Sequence, residues 1–125
     1  MTQGIKDPER ISIPSGGSEY VQNIFCSVAT ASLATIIAAK ADKRFKIWEF
    51  CVQSLSNTAN VYFASNSTAI TQKVKLAPCG SWIGEPLAIY EQMSPVLVTN
   101  VGEALTFKAD TTGEISIFLK YTEED

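Results

Sequence analysis

From Arg44 to Tyr121 the side chains alternate between two classes at a spacing of two, and turn residues interrupt the alternation about every ten positions. A period of two places successive side chains on opposite faces of a pleated strand. Residues 44–53 carry the strongest signal. Phe45, Ile47, Glu49 and Cys51 fall on one face and Lys46, Trp48, Phe50 and Val52 on the other. Apolar groups on both faces predict a central strand that touches a core on one side and another surface on the other. Residues 61–64, 73–76, 87–90 and 96–99 read as shorter strands. Residues 104–109 and 114–121 read as a β-hairpin across the turn Asp110-Thr111-Thr112-Gly113, where glycine is expected to supply backbone freedom. Residues 23–30 and 32–39 are strand candidates whose alanines also permit helix. Seven to nine short strands of this kind predict an all-β, antiparallel β-sandwich or barrel.

A chain of 125 residues suits one domain, because two cores of half that size would each be marginal. The sandwich is expected over residues 21–125. Residues 1–20 contain Pro8, Pro14 and Ser15-Gly16-Gly17-Ser18, with isolated apolar groups only, and read as an extended N-terminal arm. The arm is expected to be either mobile or extended along a neighbour, and the alternation of Ile11-Ser12-Ile13 would let it add a short strand to a sheet edge. Charged residues make up 18% of the chain, below the average of about 25%. Some of the surface must then be apolar or neutral, which hints at cover by a partner.

Catalytic chemistry has little to work with. There is no histidine, which removes the commonest general base, the usual Ser or Cys triads and most zinc and iron sites. Cys26, Cys51 and Cys79 stand far apart with no CxxC pair, so no metal and no cofactor is expected, and the thiols read as small hydrophobes. Glu49 lies mid-strand and is expected to face solvent or to pair with a lysine; a hydrolase using Glu49 and Glu85 is the enzymatic alternative. Ser15-Gly16-Gly17-Ser18 lacks the lysine and helix of a phosphate loop.

The net charge of −3 and the scattered basic residues argue against nucleic acid as a partner. Lys40, Lys43, Arg44 and Lys46 read as a turn with solvated charges, and Glu123-Glu124-Asp125 as a solvated tail. Residues 28–39 are too short an apolar run to span a bilayer, so no membrane partner is expected. Residues 1–10 are polar and do not resemble a secretory leader, so synthesis in the cytoplasm is expected.

The aromatics are the best candidates for contact. Trp82, in Gly80-Ser81-Trp82-Ile83-Gly84, has three readings: a cap on the core, an interface anchor, or a platform for a sugar ring, with Tyr90 beside it. Trp48, Phe50 and Phe118 are expected to share a second apolar face. If it lies outside the core, that face is a subunit contact. The candidate interface residues are therefore Ile11, Ile13, Trp48, Phe50, Trp82, Tyr90 and Phe118.

Residues 46–121 also carry a run of features in a set order. A strong strand and a polar loop precede Val61-Tyr62-Phe63-Ala64-Ser65 and Ser67-Thr68-Ala69-Ile70-Thr71. After a glycine-containing loop, Pro95-Val96-Leu97-Val98-Thr99-Asn100-Val101 leads into Gly102-Glu103-Ala104-Leu105, and a last strand ends in Tyr121. In this order they resemble the small jelly-roll β-sandwich proteins of tailed bacteriophage particles. The resemblance implies a jelly-roll-like sandwich and a structural role on the virion. That role is decoration or cementing of the capsid shell, with the major capsid protein as partner and self-association as a homotrimer. The alternative it implies is a tail-fibre or receptor-recognition module that binds a glycan.

Overall fold

The computed structural model describes residues 10–12, 18–85, 87–89 and 92–125. Every regular element among them is a β-strand. Two short ribbons pair outside the main sheets: β1 (Arg10–Ser12) with β2 (Ser18–Tyr20), and β10 (Leu87–Ile89) with β11 (Gln92–Ser94). The first main sheet contains β3 (Gln22–Val28), β5 (Arg44–Ser54), β9 (Ser81–Gly84), β12 (Leu97–Val98) and β14 (Ile115–Glu124). The second contains β4 (Ala34–Ile37), β6 (Ala59–Ser65), β7 (Thr68–Ala69), β8 (Val74–Leu76) and β13 (Leu105–Ala109).

All pairings are antiparallel. In the first sheet the order is β3, β14, β5, and then β9 and β12 along the two ends of the same edge of β5. The second runs β4, β13, β6, and then β7 and β8 along the free edge of β6. Counting each shared edge as one strand, the chain visits positions first, last, third, sixth in one sheet and second, seventh, fourth, fifth in the other. That is the jelly-roll order. Apart from the fourth and fifth, consecutive strands therefore sit in opposite sheets, which accounts for one departure from expectation. The strands on either side of the 110–113 turn are not a hairpin, because β13 pairs with β4 and β6 while β14 pairs with β3 and β5.

The turn crosses between sheets, and its anchor is Asp110. That carboxylate accepts the Asn60 backbone N–H at 2.8 Å and the Asn60 side-chain amide at 2.6 Å, which ties the end of β13 to β6. Gly113 serves by its size and not by an unusual backbone angle, since a Cβ there would overlap the Asn57 side chain.

Inward side chains of the two sheets meet in one core: Ile37, Phe63, Leu105 and Phe107 from one side, and Phe45, Ile47, Ile115, Ile117 and Leu119 from the other. The Gly102-Glu103-Ala104 step that marked the resemblance pins two turns together. Gly102 takes a left-handed φ of 79°, where glycine bears no steric cost. Next to it, Glu103 accepts hydrogen bonds from Ser65 Oγ at 2.6 Å and from the Asn100 side chain at 3.1 Å. Those bonds hold its carboxyl below the ordinary carboxylate range. Ala104 N–H donates to Asn66 Oδ1 at 2.9 Å, and Asn66 itself sits at a left-handed φ of 51°.

Both charged segments expected to be solvated pair with each other instead. Glu123 and Glu124 continue β14 alongside Phe45 and Arg44. Lys40 Nζ lies 2.7 Å from Glu123, Lys43 pairs with Asp125, and Glu124 pairs with both Arg44 and Lys46. Burial pushes the Glu124 carboxyl up, but hydrogen bonds from Lys46 and Arg44 outweigh it and leave the group below its usual value. The two segments lie far apart in sequence, and only the pairing of β5 with β14 brings them together.

Candidate protein-docking face

β5 decides which aromatic side chains reach the outside. Its pairing with β14 runs in register from Ser54 to Glu49 and then slips, since Lys120 faces Glu49 and Tyr121 faces Ile47. Trp48 is the extra residue of a β-bulge. The bulge switches the inward face from Phe45 and Ile47 before it to Phe50 and Val52 after it. Strict alternation across this point had produced two apolar faces; the strand has one, displaced by a residue.

Two interface expectations fail on this geometry. Trp48 is 1% exposed, and its indole N–H donates to Thr122 Oγ1 at 2.9 Å, so it is enclosed and not presented. Phe50 is 4% exposed and stacks in the core, its ring 5.1 Å from Phe63 and 4.9 Å from Trp82. Trp82 belongs to the same cluster, 5.7 Å from Phe63, and this inward ring caps the core. Gly84 makes room for that arrangement, because a Cβ there would overlap the Phe50 ring. The interface and sugar-platform readings of Trp82 lose their ring to this packing. Ile11 lies in β1, opposite Glu19 of β2, so its backbone pairs within the chain. Ile13 and Tyr90 lie outside the described residues.

Phe118 does face outward, and it has company that the sequence reading missed. On β14 it stands opposite Phe25 of β3 on one side and Cys51 of β5 on the other, and Cys51 stands opposite Ile83 of β9. Phe25, Phe118, Cys51 and Ile83 thus form a row straight across four strands. At about 4.8 Å between strands, the row is about 14 Å long. Phe25 is 79% exposed and Ile83 60% exposed, and the Phe25 and Phe118 rings meet at 4.7 Å between centroids. Burying a large apolar side chain is worth about 1.5–3 kcal/mol, so folding alone leaves this stabilisation unused.

The flanking rows differ in chemistry. On one side stand Ser27, Ser116, Gln53 and Ser81. On the other stand Asn23, Lys120 and Glu49, with Lys120 Nζ 3.9 Å from the Glu49 carboxylate. Between the apolar and serine rows lies an open groove of about 370 Å³, lined by Phe25, Ser27, Cys51, Gln53, Ser116 and Phe118. Cys26, one residue from Phe25, packs against the core on the opposite side, where burial pushes its thiol up. Such a face can bury apolar surface against a complementary protein surface. Among the described residues, no group of three His, Cys, Asp or Glu side chains converges as a metal site would require.

A signal for the missed residues was present. Phe25 alternates with Ile24 and Cys26, and Ile83 with Trp82, but only strand register shows that they share a row. No family model matches this chain. No curated protein matches it either. Among solved structures, one described as "Bacillus endospore appendages form a novel family of disulfide-linked pili" aligns over 90% of this chain and 96% of its own, at 15% identity and a TM-score of 0.38. A likeness at that level carries no inference about what this chain does.

Proposed function

We propose that this chain is a structural protein that works by docking onto other protein surfaces, and that its setting is a phage-type virion, whose capsid shell it decorates or cements as a homo-oligomer. The observation that carries the docking reading is the outward row Phe25–Phe118–Cys51–Ile83, with an aromatic side chain 79% in water at one end. Contiguous exposed apolar surface on a small domain is a mark of an interaction site. The jelly-roll strand order and the Gly102–Ala104 turn agree with the resemblance from which the virion setting comes. Weak single contacts suffice in such a setting, since a repeating shell engages many copies at once.

The test is co-sedimentation of the purified chain with expanded phage capsid shells that lack it. Saturable binding at a fixed number of copies per shell, lost in Phe118→Ser, is the expected result. Absence of binding by the folded wild-type chain to every shell tried would overturn the virion setting.

A further inference from the structure

We infer that the outer face of the first sheet pairs with the same face of a second copy of this chain, about a twofold axis running along the strands between β14 and β5. This rests on the docking reading and names the occupant. A closed pair of identical faces needs a patch that complements itself. The register of the four strands supplies one. β14 and β5 are the middle strands of the row, with β3 outside one and β9 outside the other.

A half-turn about a line between them, with the sheets about 10 Å apart, sets Phe118 over the partner's Cys51 and Phe25 over the partner's Ile83. Large groups then meet small ones near the axis, as interdigitating layers require. The groove of about 370 Å³ beside Phe118 is floored by Cys51 and Ser116 and has room for an incoming phenyl ring. Each copy thus brings both the knob and the hole on one face.

The neighbouring rows obey the same operation. Ser116 comes to face the partner's Gln53, and Ser27 the partner's Ser81. Lys120 comes to face the partner's Glu49, and Glu49 the partner's Lys120, so each charge gains a further opposite charge beside the 3.9 Å pair within its own chain. A twofold laid along the apolar row would instead set Lys120 and Glu49 against Ser116 and Gln53. A threefold arrangement, which the resemblance implies, needs a second and different patch to receive this face. The other sheet's outward side offers Asn60, Tyr62, Lys73 and Lys108, a polar surface that does not match an aromatic row.

The test uses full-length chains and sedimentation equilibrium. Wild type is expected to show a reversible monomer–dimer equilibrium. Lys120→Glu and Glu49→Lys, each alone, put like charges opposite each other in a self-pair. Mixed together, they put every charge opposite its complement. The mixture is therefore expected to form a heterodimer at least about tenfold tighter than either self-pair. Misfolding of either component would weaken the mixture as well as its own self-pair, so it cannot produce a heterodimer preference. In parallel, alkylation of Cys51 is expected to slow as protein concentration rises, while Cys79 is unaffected.

A wild type that stays monomeric, a trimer, or a mixture without preference would overturn the pairing. If wild type stays monomeric but Phe118→Ser loses attachment to capsid shells, the docking reading survives and the second copy is not the occupant. If Phe118→Ser changes neither self-association nor attachment, both fall.

Discussion

The outward face of the second sheet is polar: Asn60, Tyr62, Lys73 and Lys108 surround a shallow pocket of about 180 Å³, and Lys73 Nζ sits 5.9 Å over the Tyr62 ring. The outward face of the first carries a row of apolar side chains from Phe25 to Ile83. The two sheets share one core and one architecture, and in an antiparallel sandwich both outer faces are free to be solvated. Folding therefore does not demand an aromatic row on one of them. On the docking reading proposed above, the row serves a second contact made after folding, and the polar face is the internal control for it.

The sharpest way to test the contrast is at adjacent residues of β14. Ile117 points into the core and is buried, while Phe118 points out. Ile117→Asp places an unpaired charge in the core and is expected to cost roughly 4–5 kcal/mol, enough to unfold the domain, as thermal denaturation will report. An unchanged midpoint would mean that the register of β14 is wrong and that the two faces are exchanged. The double variant Phe25→Ser, Phe118→Ser is expected to stay folded, at a cost of about 1.5 kcal/mol or less for the lost ring pair, while losing self-association and attachment. Tyr62→Ala on the opposite face should leave association intact; equal loss from both faces would erase the distinction between them.

The smallest effect is expected from acid. Glu124, at the ionic end of the first face, and Asp110, held low by its hydrogen bonds from Asn60, both have depressed folded-state values. Their stabilisation is present above their unfolded values, 4.5 and 3.8, and is lost as pH falls through the lower folded ones. The melting temperature should therefore fall on acidification below about pH 4.5, with Glu124's ion pairs worth at most about 1 kcal/mol each. A midpoint that rises in acid would contradict the sign.

Much of the architecture was legible because period two is a local property. The strands around Phe45, Phe63, Phe107 and Ile117 stand where their alternation put them. Three things were not legible, each for a physical reason. The bulge at Trp48 depends on how β14 pairs with β5, and no local pattern in residues 44–53 reveals it. The link between β13 and β14 looked like a hairpin because a sheet-crossing turn and a hairpin turn use the same residues. The docking row is a set of residues spread from Phe25 to Phe118, joined only by the register of four strands, so single-strand patterns could find Phe118 and not its neighbours.

Hydroxyl-radical footprinting with mass spectrometry, comparing dilute and concentrated or shell-bound protein, reads both outer faces in one experiment. The account predicts that oxidation of Phe25, Phe118 and Ile83 falls on association while that of Tyr62 holds steady. Protection of Tyr62 with Phe25 and Ile83 still fully reactive would contradict it.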